Sequence, residues 1–247
     1  MAALQEMPPL NVEPAALQQW GACWLGLEGT PKKNGALQAK AASCFDKKQG
    51  MDFGKAFDLA FARSAATMLG DIEVLERDSN DLVPPKPNVM EVGKTRIVGG
   101  IRPQNYDAAY RPDGPRIVFD SKTLNDLSSV RKNWQNMVND LATEAATVHT
   151  RFPYCIVIFI VALPGPAVPA AQRRDIVRTL ERLGSRKDEL DQNHLAEAIA
   201  LALWDPITGE IDANVPAVGS NLRLDTMHER VYPHYLDRYK NLPPHDV

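Results

Sequence analysis

The eight residues from Ile156 to Leu163 carry no polar side chain, and Pro164-Gly165-Pro166 closes the run. That length is far short of the roughly 20 residues a helix needs to cross a bilayer. Ile, Val and Phe dominate it, which favours a strand, and the lack of polar alternation means that both faces of the strand are covered. The spacing therefore predicts a buried strand over Tyr154 to Leu163. A strand buried twice over needs a layer on each side, so the expected class is α/β.

The rest of the chain supplies those layers. An amphipathic helix is predicted from Ala15 to Leu25, where Trp20 and Trp24 share one buried face. Thr30 to Gly50, rich in Lys, Gly and Ala, reads as a polar loop plus a short helix. From Gly54 to Leu75 the apolar residues Phe57, Phe61, Ala65, Met68, Ile72 and Leu75 recur at helical steps. The prolines between Leu82 and Pro87 then force an extended connection. Short β-rich runs follow at Thr95 to Val98, Tyr106 to Tyr110 and Arg116 to Thr123, with Pro112-Asp113-Gly114-Pro115 as a hairpin turn between the last two. A polar helix is predicted from Leu124 to His149. Two more helices are placed at Ala170 to Leu183 and Asp188 to Ala198, and a second hairpin around Asp205 to Gly209. The result is a mixed β-sheet with an antiparallel meander, flanked by helices. The 247 residues suit a single domain with a helical extension at 1–50, a core at 54–163, and helices and a hairpin at 164–247 that complete it.

Composition removes several classes. With 44% apolar and 24% charged residues, disorder, coiled coil and collagen are excluded. Cys23, Cys44 and Cys155 are widely separated and odd in number, which supports neither a disulfide framework nor a structural zinc site. The N-terminus has no basic start or apolar signal core, so a cytoplasmic protein without a membrane segment is expected. A net charge of -3 gives no global pull towards nucleic acid, and any DNA-binding surface must rest on particular residues. No internal repeat is visible. No G-x-x-x-x-G-K-[ST], G-x-G-x-x-G or G-x-S-x-G occurs, so no nucleotide cofactor is expected. His149, His194, His228, His234 and His245 show no metal-ligand spacing.

The chemistry concentrates in Arg116-Ile117-Val118-Phe119-Asp120-Ser121-Lys122. On a strand Val118, Asp120 and Lys122 share a face. If Arg111 and Arg116 close the turn as an opposed pair, Asp107 lies across from Asp120. Opposed residues have Cβ atoms about 4.5–5.5 Å apart, and like charges so placed repel unless a cation intervenes. A divalent ion with hard oxygen ligands resolves the conflict, and Mg2+ suits a pair of carboxylates near a phosphate. Upstream, Asp58, Ala62, Ala65 and Leu69 fall on one strip of the predicted helix, so Asp58 points inward and needs a partner. A metal is one such partner, and a salt bridge between packed elements is the other. The competing view of Asp107, Asp120 and Lys122 is an ordinary ion pair on a strand face whose Val118 side is open to solvent.

These residues resemble the PD-(D/E)XK, or restriction-endonuclease-like, phosphodiesterase superfamily. Asp107 matches the first strand acid, Asp120 and Lys122 the acid-x-lysine element, and Asp58 the helix acid. The resemblance covers Gly54 to Leu163, a helix, a meander, a helix and a strand. Tyr106 stands where the family's proline would be. A literal Pro112-Asp113 lies in the turn, and Asp46-Lys47-Lys48 repeats the acid-x-lysine pattern outside any strand signal. The resemblance implies a restriction-endonuclease-like core at 54–163 and Mg2+-dependent hydrolysis of double-stranded DNA. Asp107, Asp120 and Asp58 would be metal ligands, with Lys122 assisting the attacking water. A stand-alone type II site-specific restriction enzyme, acting as a homodimer, is the expectation. A repair or junction-resolving nuclease of the same superfamily and a non-catalytic interaction protein are the alternatives.

Three further surfaces are candidates. Arg131, Lys132, Asn133, Gln135 and Asn136, at the start of the helix after the site, offer donors for phosphates and base edges. Arg174, Arg178 and Arg182 form a stripe at i+4 spacing that either tracks a phosphate backbone or is simply solvated. The segment from His228 to Lys240 mixes Tyr232, His234, Tyr235 and Tyr239 with Arg238 and Lys240. It either stacks bases, closes a dimer or docks on its own core.

Overall fold

A computed structural model describes residues 3–27, 30–31, 37–38 and 42–245. Much of the predicted loop at 30–50, and the side chain of Arg131, lie outside the described residues. Along the chain run α1 (Pro14–Trp24), β1 (Thr30–Pro31), β2 (Leu37–Gln38), α2 (Lys47–Met68), β3 (Val74–Arg77), β4 (Met90–Val98) and β5 (Pro103–Tyr110). They are followed by β6 (Ile117–Thr123), α3 (Leu127–His149), β7 (Ile156–Pro164), α4 (Ala170–Leu183), β8 (Ala198–Trp204) and α5 (His228–Tyr239). β1 and β2 pair with each other, and the other strands form one six-stranded sheet in the order β3-β4-β5-β6-β7-β8.

That sheet is mixed. β4, β5 and β6 form the antiparallel meander, β3 lies parallel to β4, and β6, β7 and β8 are parallel to one another. Every residue of β7 is buried, as its unbroken apolar sequence requires. One face of the sheet, with Val118, Val157, Phe159 and Val161, packs against Val130 and Leu141 of α3 and Ile176 and Leu180 of α4. The other, with Ile117, Phe119, Ile158 and Ile160, is covered by α1, α2 and α5. There Phe61 of α2 stacks on Phe119 of β6 with ring centroids 4.2 Å apart. A solvated Val118 face is therefore ruled out, since Val118 is fully buried beneath α3.

The helix predicted over Gly54 to Leu75 is shifted towards the N-terminus, to Lys47–Met68. α2 begins at a capping box: the Asp46 carboxylate accepts from Gln49 N at 2.8 Å, and the Gln49 side chain accepts from Asp46 N at 3.1 Å. The second acid-x-lysine copy is thus a helix cap. At the other end Gly70 and Asp71 both take positive φ, 92° and 57°, and turn the chain out of the helix. Val74 and Leu75, the predicted end of that helix, instead begin the edge strand β3.

The predicted helix from Asp188 to Ala198 does not form. The Asp191 carboxylate accepts from Lys187 N at 2.9 Å and that of Asp188 from Leu190 N at 2.8 Å, local bonds that compete with a helical ladder. The chain then enters β8, where Ala-Ile-Ala-Leu-Ala-Leu-Trp fills the open edge of β7. Asp205 to Gly209 is a turn, closed by Gly209 N donating to Asp205 O at 2.8 Å. Beyond it, among the described residues, only the bridge between Trp204 and Ile211 forms, and no second hairpin strand follows. α5 docks on the core through Val231, Tyr235 and Tyr239. In α1, Trp24 is buried and its indole N–H donates to Asn125 O at 2.5 Å, while Trp20 is half-buried and packs edge-on against Phe45 and Phe53. Among the described residues no helix is long and apolar enough to cross a membrane.

Candidate active site

β5 and β6 pair Ala108 with Phe119, Ala109 with Val118 and Tyr110 with Ile117. This is the register that sets Asp107 across from Asp120. The ladder stops one pair short of them. Asp107 Oδ2 accepts instead from the Ser121 amide at 2.9 Å and its hydroxyl at 3.3 Å. On the other side of β5, Val92 pairs with Ala108 and Thr95 with Tyr106, so Gly93 and Lys94 together oppose Asp107. That is a β-bulge, and it requires glycine: Gly93 has φ +104°, and a Cβ there would lie 2.4 Å from Arg77 O. Across the bulge β5 changes sides. Tyr106 packs on the α3 face, whereas Ala108, two residues on, packs on the α2 face. A regular strand would send both the same way. Asp107 sits at this switch, within electrostatic reach of both layers.

From the α2 layer comes Asp58. Its strip is buried as its spacing requires, with Asp58 7% exposed and Ala62, Ala65 and Leu69 at zero. Gly54, one turn earlier on the same strip, brings the helix close to β6, where a Cβ would stand 3.1 Å from Ser121 Oγ. Asp58 Oδ1 is buried without a hydrogen-bond partner. Burial, then the charge of Asp107, push the Asp58 carboxyl up to about 8 against the opposing pull of the Ser121 hydroxyl.

From the α3 face comes the lysine. Lys122 Nζ donates to Asp120 Oδ2, and to Glu144 Oε1 of α3 at 2.8 Å. Burial and the Asp107 charge hold the Asp120 carboxyl well above the usual carboxylate range, with Lys122 opposing them. Burial lowers the lysine, but the charges of Asp120 and Glu144 outweigh it and keep the ammonium protonated. Gln104 Nε2 donates to the same Glu144 oxygen at 3.0 Å. Of the four expected residues, Asp120 and Lys122 are in direct contact, Asp107 is tied to β6 through Ser121 between them, and Asp58 on the α2 side is reached by the charge of Asp107 without a direct contact.

Glu144, Gln104 and Ser121 were not legible as site residues. For Glu144 a signal existed: it follows Met137 and Leu141 at i+7 and i+3 and so lies on the buried strip of α3, by the logic that picked out Asp58. Asp113 occupies the hairpin tip, where it forms a two-pronged pair with buried Arg116 at 2.9 and 2.6 Å, remote from the acid cluster in role. Arg111 and Arg116 do flank the turn, but each is buried with its own acid, Arg111 on Glu91 at 2.5 Å.

Lys132, Asn133, Gln135 and Asn136 are exposed on α3. At about 1.5 Å per residue, they lie roughly 12–18 Å along the helix from Glu144. Arg174, Arg178 and Arg182 are exposed on α4 and form no ion pair among the described residues. The aromatic segment belongs to α5 and the core: Tyr239 donates to Tyr154 O at 2.6 Å, and Arg238 binds buried Glu197 at 2.8 Å.

Among the described residues no three His, Cys, Asp or Glu side chains already stand together as a metal-holding group. The fit to a hard divalent cation lies in the donors. They are carboxylate oxygens only, one of them buried and unpartnered, and burial together with the charge of Asp107 raises the carboxyls of Asp58 and Asp120. Comparison with family models, with curated proteins and with solved structures returned no match.

A pH dependence follows. Asp58 has a raised carboxyl in the fold, so its contribution to stability is complete below pH about 4 and is lost as pH rises towards about 8. Asp120 acts in the same direction. Without divalent metal, urea midpoints are expected to fall across that window, and Asp58→Asn should flatten the fall. A wild-type midpoint that rises from pH 5 to 8 and is unchanged by Asp58→Asn would show that Asp58 ionises freely.

Proposed function

We propose that the chain is a Mg2+-dependent endonuclease of double-stranded DNA, with a restriction-endonuclease-like core built from α2, β4 to β6, α3 and β7. One observation carries this: Asp107 binds the Ser121 amide of the Asp120-Ser121-Lys122 element at the β5–β6 ladder end, and its charge reaches Asp58 of the underlying helix. The order of these elements is that of the superfamily the sequence resembles. Asp107 and Asp120 are the residues to hold Mg2+, with Asp58 as a further ligand. Bound there, the ion supplies Lewis-acid stabilisation of the developing phosphorane charge and a more acidic water. Lys122, held between two carboxylates, orients that water or adds a positive charge beside the scissile phosphate.

The finer proposal is a type II site-specific restriction enzyme acting as a homodimer on a symmetric target. Lys132, Asn133, Gln135 and Asn136, with Arg131 beside them, are the side chains assigned to the DNA on this account. Calorimetric titration with Mg2+ tests the site directly. Wild-type protein is expected to show saturable uptake that Asp107→Asn abolishes. Uptake by the variant equal to wild type would remove Asp107 from the site, and its absence in both would favour a salt-bridged, non-catalytic surface.

A further inference from the structure

Lys122 is shared between two layers. Its ammonium touches Asp120 on its own strand and Glu144 on α3, and its side chain is 23% exposed while those of the two acids are 7% and 5% exposed. Glu144 is fixed more firmly than a chance partner. Oε1 accepts from both Lys122 and Gln104, and the backbone carbonyl of Glu144 accepts from the Tyr106 hydroxyl at 2.9 Å. Its second oxygen, Oε2, is buried with no hydrogen-bond partner. A buried carboxylate oxygen left without a donor is uncommon and calls for a physical reason.

The reason lies in what Asp120 must do. A carboxylate that serves as a metal ligand gives up part of its interaction with the lysine beside it. Without a second acid, a half-buried ammonium whose counter-ion turned away would be costly to keep in place. Glu144 removes that cost, because its spare oxygen offers a second acceptor to an ammonium that has three donors. We propose that Glu144 is a positioning residue for Lys122, keeping the ammonium at the site when the Asp120 carboxylate turns to the metal. This rests on the nuclease function proposed above. It differs from a purely structural tie between α3 and β6 in one respect: it acts through the lysine.

The test uses the full-length protein, Mg2+ calorimetry and cleavage of a duplex substrate. Glu144→Gln is expected to weaken Mg2+ uptake and lower kcat, each by about 10- to 100-fold, with KM for DNA unchanged. In a Lys122→Gln background the same substitution should leave Mg2+ affinity unchanged, since the group it acts through is gone. Glu144→Asp keeps the charge and withdraws it by one methylene, so it should fall between wild type and Glu144→Gln. It also serves as the test variant if Glu144→Gln fails to fold. Wild-type behaviour of both variants, or an equal loss of Mg2+ affinity with and without Lys122, would overturn the assignment while leaving the nuclease function standing. Absence of Mg2+ uptake by the wild-type protein would overturn both.

Discussion

Asp120→Ala is expected to lower Mg2+-dependent DNA cleavage by about 10³-fold or more while leaving DNA binding in a gel-shift assay within a few-fold of wild type. The magnitude follows from the several kcal/mol of transition-state stabilisation a bound metal supplies, at about 1.4 kcal/mol per tenfold in rate. Binding survives because a carboxylate contributes no attraction to phosphate. The fold survives as well: Lys122 keeps Glu144 as a counter-ion at 2.8 Å, and the substitution removes one of the like charges that meet at Asp107. Circular dichroism and a melting curve separate loss of chemistry from loss of structure. Cleavage by a folded Asp120→Ala protein at the wild-type rate would show that this aspartate holds nothing the reaction needs.

The largest effect on stability is expected at the opposite end of β7, from Glu197→Ala. Glu197 precedes β8, and its side chain is fully buried. Arg186 reaches Oε1 at 3.0 Å and Arg238 of α5 reaches it at 2.8 Å, while Oε2 accepts from Val157 N at 2.8 Å and faces His149 at 3.3 Å. This carboxylate ties the end of α3, the loop after α4, β7 and α5 to one point. Burial pushes its carboxyl up, but the His149 ring, Arg238 and the Val157 amide outweigh it and hold the group at about 2. Removing one member of such a buried set leaves its partners uncompensated, at a cost of about 3–5 kcal/mol. Urea unfolding at pH 7 reads that loss. Because the folded carboxyl is depressed, its contribution is complete above pH about 4.5 and is lost as pH falls towards about 2. The difference between wild type and variant should therefore shrink across that acid window. A Glu197→Ala protein within about 1 kcal/mol of wild type at pH 7 would mean that the cluster is neutral in its net effect, as some buried ion pairs are.

What the residues disclosed in advance depended on how local the controlling physics was. The β5–β6 register was legible because the turn at Pro112-Asp113-Gly114-Pro115 fixes it and every strand residue follows. β7 was legible because an unbroken apolar run has few other uses, and α4 because its period is clean. β8 was not: Ala198 to Trp204 is rich in Ala and Leu, good helix formers, and only the vacant edge of β7 makes it a strand. The same applies to Val74–Arg77, whose apolar residues fit the helical period until Gly70 and Asp71 turn the chain. In the site, Asp107, Asp120 and Lys122 could be paired by arithmetic along one hairpin. The bulge at Gly93 and the acid at Glu144 come from contacts across other elements, which no hairpin pattern encodes. The buried charges on Glu91, Arg111, Arg116, Arg186 and Glu197 were equally hidden, since composition makes such residues look like surface.

The most direct test of the proposed chemistry is digestion of unmethylated plasmid and phage DNA by the purified protein, with Mg2+ or with EDTA. Discrete fragments that require Mg2+ are expected, with ends that sequencing places at one recurring site. Discrete cutting of branched DNA alone would keep the acid cluster as a nuclease site and replace the restriction assignment with a junction-resolving one. A folded protein that cuts neither duplex nor branched DNA in Mg2+ would rule out the nuclease function.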